Sequence, residues 1–364
     1  MDFSLSTEQQ MLKDSAARFA AGDHSGDRWA TFAELGWLGI GAPEACDGFG
    51  GPIETLLLME QFGRGLVVTP YAGQVVAANA MLAEAGRHGD TASLALLQAI
   101  VDGEERVSVA YEEPHARYDP SVVSTTATLH ADGWTIHGSK VRVIGAASAT
   151  QFIVSARTDD GITLFTVPAS SARVTRTPNA TEDGHDVGDV AFENAPVREL
   201  IGTPGSGLTL LERGLDHAIA AACAEAVGLM GAMLDATVAY TKIRKQFDVP
   251  IGSFQALQHT MAEMFIELEL ARSMAYLAAL RLADADSIER RRGISAAKAQ
   301  IARGSRFVGQ NAIQLHGGIG MSEEYSVGHA FKRLTALERV FGDRTFHLAR
   351  FAAIPSIPKE LAPA

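Results

Sequence analysis

The sequence predicts a multidomain α+β protein, with an N-terminal helical domain (residues 1–104), a middle β-barrel or sandwich (105–203) and a C-terminal helical domain (204–364). Apolar residues recur at helical spacing up to about Glu104, give way to short β-branched and aromatic runs between Val107 and about Val197, and return to helical spacing from Leu208. Turn residues follow the same division. Asp132-Gly133, Gly138 and Asp159-Asp160-Gly161 separate the middle runs, and Pro204, Gly205 and Gly207 mark the linker that follows. A length of 364 residues also exceeds what one hydrophobic core commonly serves.

In chain order, Ser6-Thr7-Glu8 followed by Leu12, Ala16 and Phe19 reads as a capped amphipathic helix, and Trp29 to Leu35 as a second ending at Gly36. The loop with Pro43, Gly48, Gly50 and Gly51 follows no strand and leads to no Lys-Ser/Thr pair, so it is read as a turn and not a phosphate cradle. The runs Val122 to Leu129, Trp134 to His137, Gln151 to Ala156 and Ile162 to Val167 read as strands. Long elements rich in Ala, Leu and Met then run to about Ile354, punctuated by Gly228, Gly231, Gly317, Gly318 and Gly320, and the tail from Pro355 reads as loose.

Composition narrows the function classes. A net charge of -12 argues against nucleic acid or an anionic membrane as partner, while leaving room for a local basic patch that binds a phosphorylated cofactor. Cys46 and Cys223 have no metal-ligand spacing and make no disulfide framework. The N-terminus is acidic and polar and no long uncharged apolar run stands out, so a cytoplasmic protein without membrane insertion is expected.

Two stretches carry chemistry. In the first, a helix reaches Arg244 and Lys245, breaks at Asp248-Val249-Pro250-Ile251-Gly252, and restarts with Ser253 as N-cap before Leu257, Met261, Met264, Phe265 and Leu268. This predicts a helical hairpin with a basic, aromatic corner. The second is Gln314-Leu315-His316-Gly317-Gly318-Ile319-Gly320, where successive glycines either cap a helix or let backbone N–H groups approach an anion.

The first stretch resembles the R-x-x-F-G-x-x-I-x-x-x-Q corner of the acyl-CoA dehydrogenase family, with Arg244, Phe247, Ile251 and Gln255 in register and Asp248 where that family has Gly. The second resembles its Q-x-x-G-G-x-G, and Ala33-Glu34-Leu35-Gly36-Trp37-Leu38-Gly39 resembles its N-terminal domain. The resemblance spans almost the whole chain. It implies a C-terminal four-helix bundle, FAD as cofactor, an acyl-CoA thioester as substrate and an electron acceptor flavoprotein as partner. It further implies that Arg244, Phe247, Gln255, Gln314, Gly317 and Gly318 reach across a subunit interface to the adenosine diphosphate half of a neighbour's FAD.

Other parts of the family pattern are altered. Its T-E-P-G-A-G-S-D segment corresponds to Glu112 to Asp119, with His115, Arg117 and Tyr118 in place of small residues. Its K-x-W-I-T corresponds to Lys140 to Ile144, where Arg142 and Ile144 do not replace a stacking indole and a hydroxyl. The catalytic carboxylate of Y-E-G-T falls on Gly342 if Phe341 matches the Tyr, or on Asp343 if Thr345 and Arg350 set the register. An alternative Glu on an earlier helix corresponds to Ala218, and the Arg after it to Ile219. Three readings follow. The chain desaturates an acyl-CoA, with a bulky or steroid side-chain acyl group, together with a sister chain in an α2β2 or similar assembly; or it is a self-sufficient homo-oligomer using Asp343; or it is a non-catalytic scaffold of the same fold.

Overall fold

The structure, a computed structural model, describes residues 4–22 and 28–354, so the expected loose tail from Pro355 lies outside the described residues. The chain packs as two compact units, Met1–Leu58 with Val67–Ala221 and Met59–Leu66 with Ala222–Ala364.

The first unit begins with helices α1 (Thr7–Ala20), α2 (Arg28–Glu34), α3 (Pro52–Arg64, which runs on into the second unit), α4 (Ala78–Arg87) and α5 (Thr91–Val101). The capped start of α1 is as expected. The Ser6 hydroxyl accepts the Gln9 N–H at 3.2 Å and the Gln9 side chain accepts the Ser6 N–H at 3.0 Å, satisfying two otherwise orphan donors. Phe19, Phe32, Trp37 and Tyr71 meet edge to face or tilted, with centroids 5.4–5.8 Å apart, and gather these elements around one aromatic core.

Eight strands complete this unit: β1 (Val107–Ala110), β2 (Thr126–His130), β3 (Gly133–Ile144), β4 (Gln151–Thr158), β5 (Gly161–Pro168), β6 (Val174–Pro178), β7 (Val187–Pro196) and β8 (Glu199–Ile201). They form a single connected sheet in the order β6-β7-β3-β2-β4-β5-β8, with β1 parallel to β4. Ile136, Val143, Phe152, Val154, Phe165 and Phe192 fill its core. The strand expected from Val122 begins only at Thr126. The N–H groups of Ser124 and Thr125 donate to the Glu113 carboxylate at 2.8 and 3.0 Å, and so are unavailable for a ladder.

Glu113 is itself buried and paired with Lys140, whose fully buried ammonium lies 2.7 Å from Glu113 Oε1 and 3.0 Å from the Ser155 hydroxyl. Burial pushes the Glu113 carboxyl up, but hydrogen bonds from Lys140 and Ser124 more than offset it and hold it down at about 2; burial lowers Lys140 to about 8.

The second unit contains the rest of α6 (Gly207–Ile243), the short strands β9 (Lys245–Gln246) and β10 (Val249–Pro250), and helices α7 (Gln255–Arg281), α8 (Ser287–His316), α9 (Ser326–Arg339) and α10 (Arg344–Ala352). Helix α6 is long and apolar enough to cross a membrane, but 89% of that apolar window is buried inside the protein, as expected of a core helix. The end of α3 crosses α6 at backbone contact. A Cβ on Gly63 would lie 2.0 Å from the Glu225 carbonyl oxygen, and one on Gly228 would lie 1.9 Å from that of Glu60. The glycine read from sequence as punctuation at Gly228 is therefore a helix-crossing point. Contacts from Ser305 to Met230 and from Thr241 to Met261 tie α6 to α8 and α7.

Helix α6 is pinned to α9 by a buried bidentate pair, in which Arg333 Nε and Nη2 donate to the two oxygens of Glu225 at 2.6 and 2.9 Å. Removing Glu225 takes away the bidentate carboxylate acceptor of a buried guanidinium. Glu225→Ala is expected to cost about 3–5 kcal/mol in urea unfolding, and a paired apolar replacement of both residues should recover much of that loss. A Glu225→Ala cost below about 1 kcal/mol would show that water satisfies Arg333 instead.

Candidate functional site: an exposed basic corner and a diglycine turn

The predicted helix through Lys245 ends at Ile243, because Arg244 and the residues after it are drawn into a hairpin. Arg244 accepts the Ile251 N–H at 2.8 Å, and β9 pairs antiparallel with β10 across the two residues Phe247 and Asp248. Both have positive φ, 53° and 63°, the combination that a tight two-residue turn of the right twist demands. Asp tolerates this conformation better than most side chains, which accounts for its occupying the position where the resembling motif has Gly. The expected N-cap at Ser253 is corrected to Phe254: the Ser253 hydroxyl donates to the Pro250 carbonyl at 2.7 Å and is used up within the loop.

This geometry turns the corner outward. Phe247 is 87% exposed, and Arg244 and Gln255 are exposed as well. Among the described residues the Arg244 guanidinium has no hydrogen-bond or ion-pair partner. Helix α8 ends at His316, with Gly317 as its C-cap at φ 63°, and Gln314 is exposed on its last turn. A Cβ added to Gly317 or Gly318 would meet nothing within 4 Å. At Gly318, where φ is not positive, neither strain nor packing within this chain requires a glycine.

The two motifs, some seventy residues apart in sequence, are joined by aromatic rings that sequence reasoning did not single out. Tyr240, whose carbonyl accepts the Arg244 N–H at 2.9 Å, stacks on His316 with centroids 4.6 Å apart and an interplanar angle of 26°. Tyr325 leans on both, at 5.1 Å from His316 and 6.4 Å from Tyr240. The available signal was positional: Tyr240 lies one helical turn before Arg244, and His316 directly precedes Gly317. Arg244, Phe247, Gln255, Gln314, Gly317 and Gly318 thus belong to one unit and to two linked segments. Their donor set fits the adenosine diphosphate half of FAD. An unpaired guanidinium suits pyrophosphate, an open ring face suits adenosine, and bare backbone permits close approach.

The sequence positions that would cradle the flavin ring are in the first unit and are engaged otherwise. Arg142, itself at φ 53°, places its guanidinium on Glu112, with Nε–Oε2 at 3.1 Å and Nη2–Oε1 at 2.5 Å, and lies over the Tyr118 ring at 6.0 Å. The hydrogen bond to Glu112 raises the Arg142 pKa further, so the guanidinium stays charged. Arg117 and Tyr118 adopt left-handed backbone, φ 45° and 74°, a strained arrangement for such side chains. Ile144 packs against Gly73, where an added Cβ would come within 3.1 Å of it. At positions 142 and 144 an arginine held on Glu112 and an isoleucine packed against Gly73 offer neither the stacking indole nor the hydroxyl that the resembling motif places there.

The two readings of the base separate sterically. Gly342 supplies no carboxylate; it has φ 111°, and a Cβ there would lie 2.6 Å from the Phe346 ring and 2.7 Å from the His347 imidazole, so a side chain at that position would be strained and would displace those rings. Asp343 caps α10, its Oδ1 accepting the Phe346 N–H at 2.8 Å. Among the described residues, no hydrogen bond or ring contact ties it to the corner or to the diglycine turn. Ala218 and Ile219 are buried apolar residues of α6.

Comparison with known proteins agrees with this architecture from end to end. Family models for the N-terminal, middle and C-terminal domains of acyl-CoA dehydrogenase match residues 6–93, 108–195 and 205–353. A probable acyl-CoA dehydrogenase of Bacillus subtilis (strain 168), YngJ, is 30% identical over 377 residues, covering 96% of this chain and 98% of that protein. Among solved structures, a variant of the Tcur3481-Tcur3483 steroid ACAD is 29% identical with a TM-score of 0.84, covering 96% of each chain. An FAD-dependent dehydrogenase is 25% identical with a TM-score of 0.88, covering 97% of this chain and 98% of that one. With helical, β and helical parts each matched in order and the cofactor-half motifs in place, the chain belongs to the acyl-CoA dehydrogenase family.

Proposed function

We propose that this chain is a cytoplasmic FAD-dependent acyl-CoA dehydrogenase subunit that lends the adenosine half of an FAD site to a sister chain, which supplies the ring pocket and the base. One observation carries the reading: among the described residues the Arg244 guanidinium has no hydrogen-bond or ion-pair partner, one helical turn after a tyrosine that stacks on the residue preceding the diglycine turn, whereas Arg142 is consumed by Glu112. FAD held there would supply a hydride acceptor for the β-carbon of the acyl thioester, and a carboxylate of the sister chain would take the α-proton. In this division of labour Arg244 would pair with pyrophosphate, Phe247 would offer its ring to the adenosine, Gln255 and Gln314 would contribute side-chain amides, and Gly317 and Gly318 would present backbone N–H groups. The steroid ACAD likeness favours a bulky or steroid side-chain acyl group, and the electrons leave to an acceptor flavoprotein. A homo-oligomeric reading keeps one argument, since Asp343 Oδ2 makes no hydrogen bond among the described residues and retains acceptor capacity as a base.

Arg244→Ala should lower flavin affinity about ten- to a hundredfold, the worth of one charge-assisted contact, whereas Arg142→Ala, checked for folding by circular dichroism, should leave the flavin bound. The measurement is flavin absorbance retained by the native assembly purified through a tag on this chain. The reverse pattern would reassign the two halves.

Activity separates the two assemblies. The isolated chain, loaded with FAD, is expected to desaturate acyl-CoA poorly, short of a full complement by about the 10²–10⁴-fold that a general base contributes. Robust turnover abolished by Asp343→Ala would establish the homo-oligomer instead.

Assembly itself can be weighed. Phe265, Ile266 and Leu270 lie exposed on α7, an apolar face that one bundle leaves uncovered. Sedimentation should therefore find an oligomer at micromolar concentration, and a stable monomer even with the sister chain present would contradict it.

A further inference from the structure

His316 is buried, yet its chemistry is incomplete. Its Nδ1 lies 2.7 Å from the Ala312 carbonyl and must donate there, which fixes the tautomer and leaves Nε2 as a lone-pair acceptor. That Nε2 is shut away from solvent with no hydrogen-bond partner among the described residues. The groups facing the ring are the phenols of Tyr240 from α6 and Tyr325 from the segment before α9, together with the Ala312 carbonyl of its own helix. Among the described residues no carboxylate pairs with it. Such a site accommodates the neutral imidazole and rejects the imidazolium, whose second N–H would find no acceptor.

The position of the ring gives it a task. One of its neighbours in the chain is Gly317, whose left-handed turn opens the diglycine segment, and its stacking partner is the residue whose carbonyl receives the Arg244 N–H. Helix α8 and the end of α6 meet here ring on ring, so a loss of the stack frees the diglycine turn to shift relative to the corner.

We propose that His316 is a positioning residue which, by stacking on Tyr240, holds the Gly317–Gly318 turn in register with Arg244 so that both engage a single dinucleotide. This rests on the adenosine-half reading above. It adds a consequence that reading lacks: flavin retention depends on the protonation state of a side chain that does not itself touch the flavin. Burial lowers the His316 pKa from its ordinary 6.5, the Ala312 hydrogen bond opposing this only in part. Because the folded value is depressed, the contribution is complete above pH 6.5 and is lost as pH falls through the folded value.

The test measures flavin dissociation constants by fluorescence on the purified native assembly, for wild type, Tyr240→Ala, Tyr240→Phe, His316→Phe and Arg244→Ala, across the acid range. Tyr240→Ala is expected to weaken flavin binding about 2- to 10-fold, the worth of one aromatic pair, and Tyr240→Phe to restore it. His316→Phe should keep the flavin at neutral pH and abolish the acid loss seen in wild type. If Arg244→Ala weakens binding but Tyr240→Ala does not, or if His316→Phe keeps the acid loss, the positioning role is overturned while the adenosine-half reading stands. If Arg244→Ala leaves binding unchanged, both fall together.

Discussion

A carboxylate buried in protein must find a cation or give up its charge, and this requirement organises both units of the molecule. In the first unit Glu113 takes Lys140 and with it the hydrogen bonds that would have begun β2 earlier. Next to it in sequence, Glu112 takes Arg142. In the second unit Glu225 takes Arg333 at the point where glycines bring α3 and α6 into backbone contact. Each pair fixes one element against another, and each removes an arginine or lysine from any other use.

The functional reading follows from what this pairing leaves over. Arg142 and Arg244 are both partly or wholly exposed arginines at motif positions, and they differ in whether a carboxylate is already in place. The Arg142 guanidinium, held on Glu112 and lying over Tyr118, makes a closed corner. The Arg244 guanidinium, exposed and bonded to no carboxylate among the described residues, makes an open one. A binding site for an anionic dinucleotide needs the second kind.

The glycines divide in the same way. Gly63, Gly228 and Gly342 are required from within, since a side chain there would strike a backbone carbonyl or the rings of Phe346 and His347. At Gly318 an added Cβ would meet nothing within 4 Å, so no packing among the described residues requires a glycine there. Gly342 carries no side chain, so the register that matches Phe341 to the family's Tyr supplies no base. That leaves Asp343, a helix cap, as this chain's remaining candidate.

The division into helical, β and helical segments was legible in the sequence because burial imposes a period of 3.6 or 2 on apolar residues wherever an element lies on a core. So was the first helix cap, which is made by residues three apart. The two stretches that resemble family motifs were legible as strings, because Arg244 through Gln255 and Gln314 through Gly320 are local in the chain. Tertiary structure alone decided what joins or disables them: the Tyr240–His316 stack, the Arg142–Glu112 closure and the steric refusal at Gly342. It also moved the restart of α7 from Ser253 to Phe254 and the end of α6 back to Ile243, through a hairpin whose left-handed residues are Phe and Asp. These features rest on contacts between residues tens of positions apart, or on backbone angles that the side chains do not announce, and a one-dimensional pattern encodes neither.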